Sequence, residues 1–365
     1  MSLDIGIIGL GMSGRTTIFN CLTSQEAGAG RSRQEENIGI ARVPDTRVDR
    51  LKEMFKSKKA AYGEVKYVDL GASLKNAAKD FSLSGKMLSE LGATDALLCV
   101  VRAFKNESVS HPQGTIDPAR DIEAMELELA FSDMAIIERR LEKLSSQLKS
   151  VRAADKSHLE GESSLLEKIK NQLEVGIPLR RQKLSEEERK KISTYQFLSL
   201  KPMLTVLNIG EEELERAKQM EEELDSRFGD ENHQVVALAG KLEMELVGLD
   251  EDSKQAFLDD FKIEEPGLQK VIRSSFELLG LISFLTTGED ESRAWPIPRN
   301  TLAPQAAGRI HSDIERGFIR AEVVQYDDLV RLGGYAGVRK EGLFRVEGKN
   351  YIVQDGDVIN FLFNV

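Results

Sequence analysis

The chain has 365 residues, 41% of them apolar and 30% charged, with a formal net charge of -11 at pH 7. That suits an ordinary soluble protein of two or three domains and excludes a surface that is basic all over, so any nucleic-acid contact must come from a local patch. Its two cysteines, Cys21 and Cys99, sit in apolar segments and read as small core residues rather than a disulfide or metal pair; with no leader-like start and no run of about 18 apolar residues, the expectation is a cytosolic protein without a membrane span.

The first predicted element is the apolar strand Ile5 to Ile8, which runs into Gly9-Leu10-Gly11-Met12-Ser13-Gly14-Arg15-Thr16 and then a helix from Thr17. This is the P-loop pattern G-x-x-x-x-G-K-[ST] with its lysine replaced. In such a loop the backbone N–H groups and the helix N-terminus hold phosphate oxygens, which makes Gly9, Gly11, Met12, Ser13, Gly14, Arg15, Thr16 and Thr17 the phosphate-binding candidates. Arg15 keeps the charge but not the shape, because a planar, forked guanidinium replaces a slender ammonium. Turnover is expected to suffer while backbone capture of phosphate persists; a surface cation on a retired loop is the competing reading.

Strand-like runs follow at 65–70, 95–104, 201–210 and 233–240, short and rich in Val and Leu, as a mostly parallel sheet with helices on both faces requires. Between the middle two, apolar residues step by three and four from Leu127 through Ala130, Met134, Ile137, Leu141, Leu144, Leu148 and Val151, and the spacing resumes at Leu166, Ile169 and Leu173. That heptad seam predicts two antiparallel helices, either a projecting hairpin or a pair packed on the sheet. From about residue 286 a mixed module is expected: a helical stretch at 303–317, the strand at 318–324, and a turn at Gln354-Asp355-Gly356-Asp357 between two strands. Expected domains are 1–120 with 200–285, the hairpin at 121–199, and 286–365.

Taken together, these segments resemble the YchF family, the Obg-like ATPases among the P-loop NTPases. The likeness is carried by "FNCLT", "ARVPDTRVDRL", "IDPARDIEAMELELAFSDMAIIERRLEKL", "KPMLTVLNIGEEEL" and "GLISFLTTGEDESRAW", and most strongly by "RAWPIPRNTLAPQAAGRIHSDIERGFIRAEVVQYDD" with "VEGKNYIVQDGDVINFLFNV". It implies an α/β P-loop NTPase domain with an inserted helical hairpin and a C-terminal TGS domain of β-grasp, ubiquitin-like fold.

The resemblance also implies site roles. Thr16 would supply a hydroxyl to Mg²⁺, and Asp69, opening a D-x-x-G-like Asp69-Leu70-Gly71-Ala72, would act on the ion through water. The glycine expected at the γ-phosphate is Ala72, the switch threonine falls on Arg33, and the position after the motif is Ser73. Three altered γ-phosphate contacts imply relaxed or abandoned hydrolysis. The N-x-x-E tetrad that replaces N-K-x-D falls on Asn208-Ile209-Gly210-Glu211, with Ala239 and Gly240 in the loop that caps the base; Glu211 in place of Asp favours ATP modestly over GTP. His111 matches the histidine that serves the catalytic water, its competing reading being an exposed loop histidine. His158, His233 and His311 have no metal-ligand spacing.

Two functions follow. One is a nucleotide-dependent regulator that binds ATP or GTP with Mg²⁺ and acts, by family resemblance, on the ribosome or its RNA. The other is a non-enzymatic scaffold that presents the hairpin and the TGS module. In either case the expectation is a monomer without a membrane partner, and if it is active, a P-loop ATPase or GTPase. Arg299, Arg309, Arg316, Arg320, Arg339 and Lys340 would form a basic face or merely a solvated one.

Overall fold

The computed structural model describes residues 3–24, 38–69, 85–150, 153–261, 263 and 265–364. Its strands are β1 (Asp4–Ile8), β2 (Ile38–Arg42), β3 (Lys59–Ala61), β4 (Glu64–Asp69), β5 (Ala96–Arg102), β6 (Met203–Asn208), β7 (His233–Leu238), β8 (Leu281–Thr287), β9 (Glu291–Pro298), β10 (Phe318–Gln325), β11 (Arg345–Glu347) and β12 (Asp357–Phe363). The helices named below are α1 (Arg15–Ser24), α2 (Thr46–Phe55), α3 (Gly85–Gly92), α4 (Pro118–Leu148) and α5 (Ala153–Glu174), the others being given by range. Among the described residues, no helix is long and apolar enough to cross a membrane.

The chain divides into two compact units, 3–39 with 66–271 and 40–65 with 272–365. This division differs from the sequence expectation: the hairpin stays within the first unit, and residues 40–65 leave it for the second. The reason is burial. Val48 and Leu51 of α2 are fully covered by a core containing Leu285, Val324, Leu329 and Val358, and β3 pairs in parallel with β9.

In the first unit the sheet order is β2-β4-β1-β5-β6-β7. β1 pairs in parallel with both β4 and β5, and β5-β6-β7 continue in the same direction. Every position of β5 and β6 is buried, as strands covered on both faces require. Because these strands run the same way, their C-terminal ends share one edge. The register sets Asp69 beside Ile7, Ile8 beside Cys99, and Asn208 between Arg102 and Leu238. In open sheets of this kind, ligands sit along that edge.

Asp117 caps α4 by accepting from the Arg120 N–H, and Pro118 occupies the first turn, where a missing N–H is harmless. The helix runs antiparallel to α5, since the pairs Arg140–Glu162 and Glu138–Lys170 advance in opposite directions. The expected seam is the hairpin's core: Ala130, Ile137, Leu144, Leu166, Ile169 and Leu173 are buried together, with Met134 and Leu141 packed against them. Leu127, predicted to begin the seam, is instead exposed. The core starts one heptad step later, where Phe197, Leu179 and Ile192 close over α4. Val151 lies outside the described residues. Buried Asp133 ties α4 to the following chain by accepting from the Leu198 and Ser199 N–H groups and from Ser199 Oγ.

Nearby, His233 is fully buried, 2.8 Å from Thr205 Oγ1 through Nε2. Burial, helped by the Arg180 and Arg181 guanidiniums, holds its pKa down at about 3 against an ordinary 6.5. The folded protein therefore keeps it neutral, and the stability this provides is complete above about pH 6.5 and is lost as pH falls toward 3. Between about pH 7 and about pH 4.5 this group alone is expected to remove about 3 kcal/mol from the unfolding free energy. Urea titrations at both pH values check this: His233→Gln should flatten the dependence, and an unchanged slope would refute the assignment.

In the second unit the sheet order is β11-β10-β12-β8-β9-β3. Its first and last long strands, β8 and β12, are parallel neighbours, and each has an antiparallel partner, β9 and β10 respectively. The helix Ala303–Ile310 buries Ala303, Ala306 and Ala307 in a core with Phe284, Ile297, Phe318 and Phe361. This is the expected β-grasp. The turn at 354–357 is present, with Asp357 accepting from the Gln354 N–H and the Tyr351 hydroxyl, and Gly356 at φ +78. It differs from expectation in one respect: upstream lies only a single bridge, Ile352 to Leu302, rather than a strand. Of the predicted basic residues, Arg316 pairs with Asp313, Arg309 donates to the Pro296 carbonyl, and Arg339 lies 4.6 Å over the Phe344 ring.

Candidate nucleotide site

The phosphate loop leaves β1 at the shared edge, and its backbone needs two glycines. At Gly9 a Cβ would stand 2.4 Å from the Val100 carbonyl oxygen of β5, which no side chain can enter. Gly14 holds φ +87, and a Cβ there would lie 2.1 Å from Asn208 Nδ2. Between them the Ser13 N–H reaches back to the Leu10 carbonyl at 3.3 Å, and exposed Met12 adopts the left-handed region at φ +62. The α1 helix then begins: the Ile18 N–H bonds to the Gly14 carbonyl at 3.0 Å. Its first turn has no acidic residue to offset the positive end of the helix. Thr16 is exposed there and Thr17 half-buried.

Asn208 holds the loop from the far side. Buried at the end of β6, it donates through Nδ2 to the Ser13 carbonyl at 3.0 Å and accepts through Oδ1 from the Gly240 N–H at 3.1 Å. The phosphate loop and the base-capping loop are thus joined by one side chain. Ile209 is buried, its N–H on the Leu238 carbonyl, and Ala239 and Gly240 are buried beside it. A Cβ at Gly240 would meet Ile18 Cδ1 of α1 at 2.8 Å, so the helix Gly240–Val247 packs closely on α1. Glu211 is exposed, 3.4 Å from the exposed Lys241 ammonium, while neighbouring Glu213 is committed to the Gly210 N–H. A surface pair of this kind contributes little and rearranges freely.

Arg15 and Asp69 meet. Nε of Arg15 lies 3.1 Å from Asp69 Oδ1, with the arginine side chain 18% exposed and the carboxylate 2%. The contact is electrostatic rather than a well-formed hydrogen bond, since Nε satisfies no hydrogen-bond geometry. A carboxylate already neutralised by a guanidinium is a poor anchor for a hydrated divalent ion, so Thr16 and Asp69 do not fit Mg²⁺ as the motif implies. Arg33, Gly71, Ala72 and Ser73 lie outside the described residues.

His111 is buried rather than displayed on a surface loop. Its Nδ1 accepts from the Gln113 N–H at 3.1 Å, which leaves Nε2 as the protonated nitrogen of the neutral ring; Nε2 faces Asp121 Oδ2 at 2.8 Å, off the axis of a straight hydrogen bond. Nδ1 is thus engaged in a hydrogen bond, while Nε2 lies buried against Asp121 without one.

The surrounding loop, 104–117, is held closed by residues that sequence reasoning missed. Arg102, buried at the end of β5, donates to the carbonyls of Phe104, Asn106 and Val109, and Arg120 grips Thr115 through both its hydroxyl and its carbonyl. Pro112 comes within 3.8 Å of where a Gly11 Cβ would stand, and Phe104 equally near Gly14. The available signal was an arginine closing the otherwise apolar run "ALLCVVR", since a buried cation demands partners.

No cluster of His, Cys, Asp and Glu suited to a metal occurs among the described residues, and both cysteines are buried and free, with thiols pushed up to about 12 by burial.

With this geometry established, comparison with known proteins places the chain. The family model YchF-GTPase_C, described as a protein of unknown function (DUF933), matches residues 281–364. The chain is 40% identical to the ribosome-binding ATPase YchF of Bacillus subtilis over 372 residues, covering 100% of both. It is 37% identical to the protein of that name in Escherichia coli O157:H7, again over 100% of each chain. The solved structure of the Schizosaccharomyces pombe YchF GTPase superposes with a TM-score of 0.88 at 28% identity, covering 99% of this chain and 98% of that one. Identity of 37–40% over the whole length of both chains, with a matching overall fold, shows that this chain belongs to the YchF family.

Proposed function

We propose that this chain is a nucleotide-binding regulator of the ribosome that captures ATP, and GTP more weakly, at residues 9–17 and hydrolyses it slowly or not at all. The observation that carries the reading is the Asn208 bridge between Ser13 and Gly240, which keeps the phosphate loop and the base loop in the mutual arrangement nucleotide binding needs. Ser13 Oγ is buried without a hydrogen-bond partner, a polar group that a ligand oxygen or a water would satisfy. Glu211 and Lys241 flank the base position, where the longer carboxylate disfavours the bidentate guanine contact.

Weak hydrolysis is supported by the Arg15–Asp69 pair and by the enclosure of His111, which reaches a water only if the loop 104–117 opens. The same pair favours the second reading, an inert scaffold that presents the hairpin and the β-grasp module, which we assign as TGS. The relatives' name, ribosome-binding ATPase, suggests the partner; a cytosolic monomer in contact with ribosomal RNA is part of the same proposal.

Titration of the full chain with labelled ATP and GTP decides between the two. Micromolar binding with the ATP complex several-fold tighter is expected; no binding at millimolar nucleotide would establish the scaffold instead. Co-sedimentation with ribosomal subunits should weaken steeply as salt rises, and salt-independent binding would refute phosphate contacts.

A further inference from the structure

The charges of "RRQKLSEEER", residues 180–189, serve neither the nucleotide site nor the hairpin seam, and three of its first four residues are cations. The structure gathers them. Ser185 caps the helix Glu186–Ile192 in a closed capping box with Glu188, which fixes the start of that helix and sets Arg189 one turn beyond the cap. Arg180, Arg181, Lys183, Ser185, Arg189 and Asn232 then share the lining of an open cavity of about 680 Å³. It lies at the N-terminal ends of β6 and β7, where the Met203 N–H bonds to the Asn232 carbonyl, so it occupies the sheet edge opposite the phosphate loop.

Among the described residues, four cations and two carboxylates line the cavity. Two of the cations are committed, Arg181 to Asp230 at 2.8 Å and Arg180 to Glu126. Lys183 and Arg189 are exposed and have no acidic partner, against one uncommitted carboxylate, Glu231. Arg180, with 1% of its side chain exposed, also keeps Nε without a hydrogen-bond partner. Glu186 and Glu187 stand outside the lining, and Lys190 and Lys191 on the same helix balance their charge. No aromatic residue is among the lining residues and Leu184 is the one apolar side chain there, so the cavity offers no platform on which a base could stack. It offers charge and hydrogen-bond donors, which hold phosphates and read no sequence. A cavity this open does not enclose a free ion, whereas a polyanion gains from every such contact by releasing its own counterions.

We propose that Lys183 and Arg189, with Arg181 beside them, form a contact site for the backbone phosphates of RNA, on the sheet edge opposite the nucleotide loop. The inference rests on the ribosome part of the reading above and is independent of nucleotide binding. Co-sedimentation of the full chain with purified ribosomal subunits, without nucleotide and across a KCl series, is the test. The double variant Lys183→Gln with Arg189→Gln should bind about tenfold more weakly at moderate salt, and its plot of log affinity against log salt should be shallower by about two. Glu231→Gln removes the one opposing charge, and its binding should tighten about threefold. As a control of equal charge, Arg299→Gln with Arg320→Gln, exposed arginines of the C-terminal module, should stay within about twofold of the wild type. A fluorescein-labelled RNA hairpin of arbitrary sequence should rank the proteins in the same order, and inorganic phosphate at matched ionic strength should not displace it.

An unchanged salt slope in the double variant would overturn the proposal while leaving ribosome binding intact. So would an equal loss in the control pair, which would show a response to net charge alone, or displacement by inorganic phosphate, which would assign the cavity to a free anion. Failure of the wild type to sediment with subunits would overturn the ribosome reading, and the proposal with it. Should the double variant fail to fold, Glu231→Gln still decides, since unchanged or weaker binding there would refute the site.

Discussion

Gly14→Ala is expected to weaken nucleotide binding by about 30- to 1,000-fold without unfolding the chain, the equivalent of about 2–4 kcal/mol. Two effects add. The residue sits at φ +87, where an L-residue is strained by about 1–2 kcal/mol. Its new methyl would stand 2.1 Å from Asn208 Nδ2, so the amide must move and surrender its bonds to Ser13 and Gly240. Since Asn208 is buried at the end of a central strand, water does not replace the bonds it gives up. Asn208→Ala tests the mechanism. If displacement of the amide is the dominant effect, Gly14→Ala made in the Asn208→Ala background should lose little more, and calorimetric titration of the four proteins gives the coupling energy. Additive losses would show that backbone strain acts alone.

The largest stability effect is expected at Asp133, where replacement by alanine should cost about 3–5 kcal/mol, a large share of a domain's usual 5–15. The carboxylate is wholly buried and receives three donors, two of them backbone N–H groups at Leu198 and Ser199 that have no strand or helix partner. Removing it strands those groups and opens a cavity where α4 meets the chain returning to β6. Burial pushes the Asp133 carboxyl up to about 6, so Asp133→Asn, which keeps the shape and one good acceptor, should lose less than half as much. Urea unfolding of the two variants provides the comparison. An alanine variant within about 1 kcal/mol of wild type would show that the returning chain finds other acceptors.

Much of the architecture was legible because its signals are local. The four buried strands announced themselves as short Val/Leu runs, and a three-four spacing cannot be satisfied by anything but packed helices, so the seam from Ala130 to Leu173 was readable residue by residue. Leu127 escaped the pattern because periodicity says which face a residue occupies and not how far along that face a neighbour extends. The phosphate loop was readable for a similar reason, glycine spacing being a direct record of backbone dihedrals. The enclosure of His111 was not, since its partners are brought to it by Arg102 and Arg120 folding the loop back.

What the sequence by itself determined is therefore the principal parallel strands, the helical hairpin, the family, and the exchange of lysine for arginine in the phosphate loop. Tertiary structure alone decided where that arginine's charge goes. Arg15 and Asp69 are far apart along the chain, and they meet because β1 and β4 are parallel neighbours whose ends fall on one edge. The same kind of non-local pairing moved α2 and β3 into the unit of the C-terminal sheet, where a three-residue edge strand and two buried side chains outweigh their position in the chain. Local sequence encodes dihedrals and faces; partners brought together by strand order are encoded only in the sum of the whole fold.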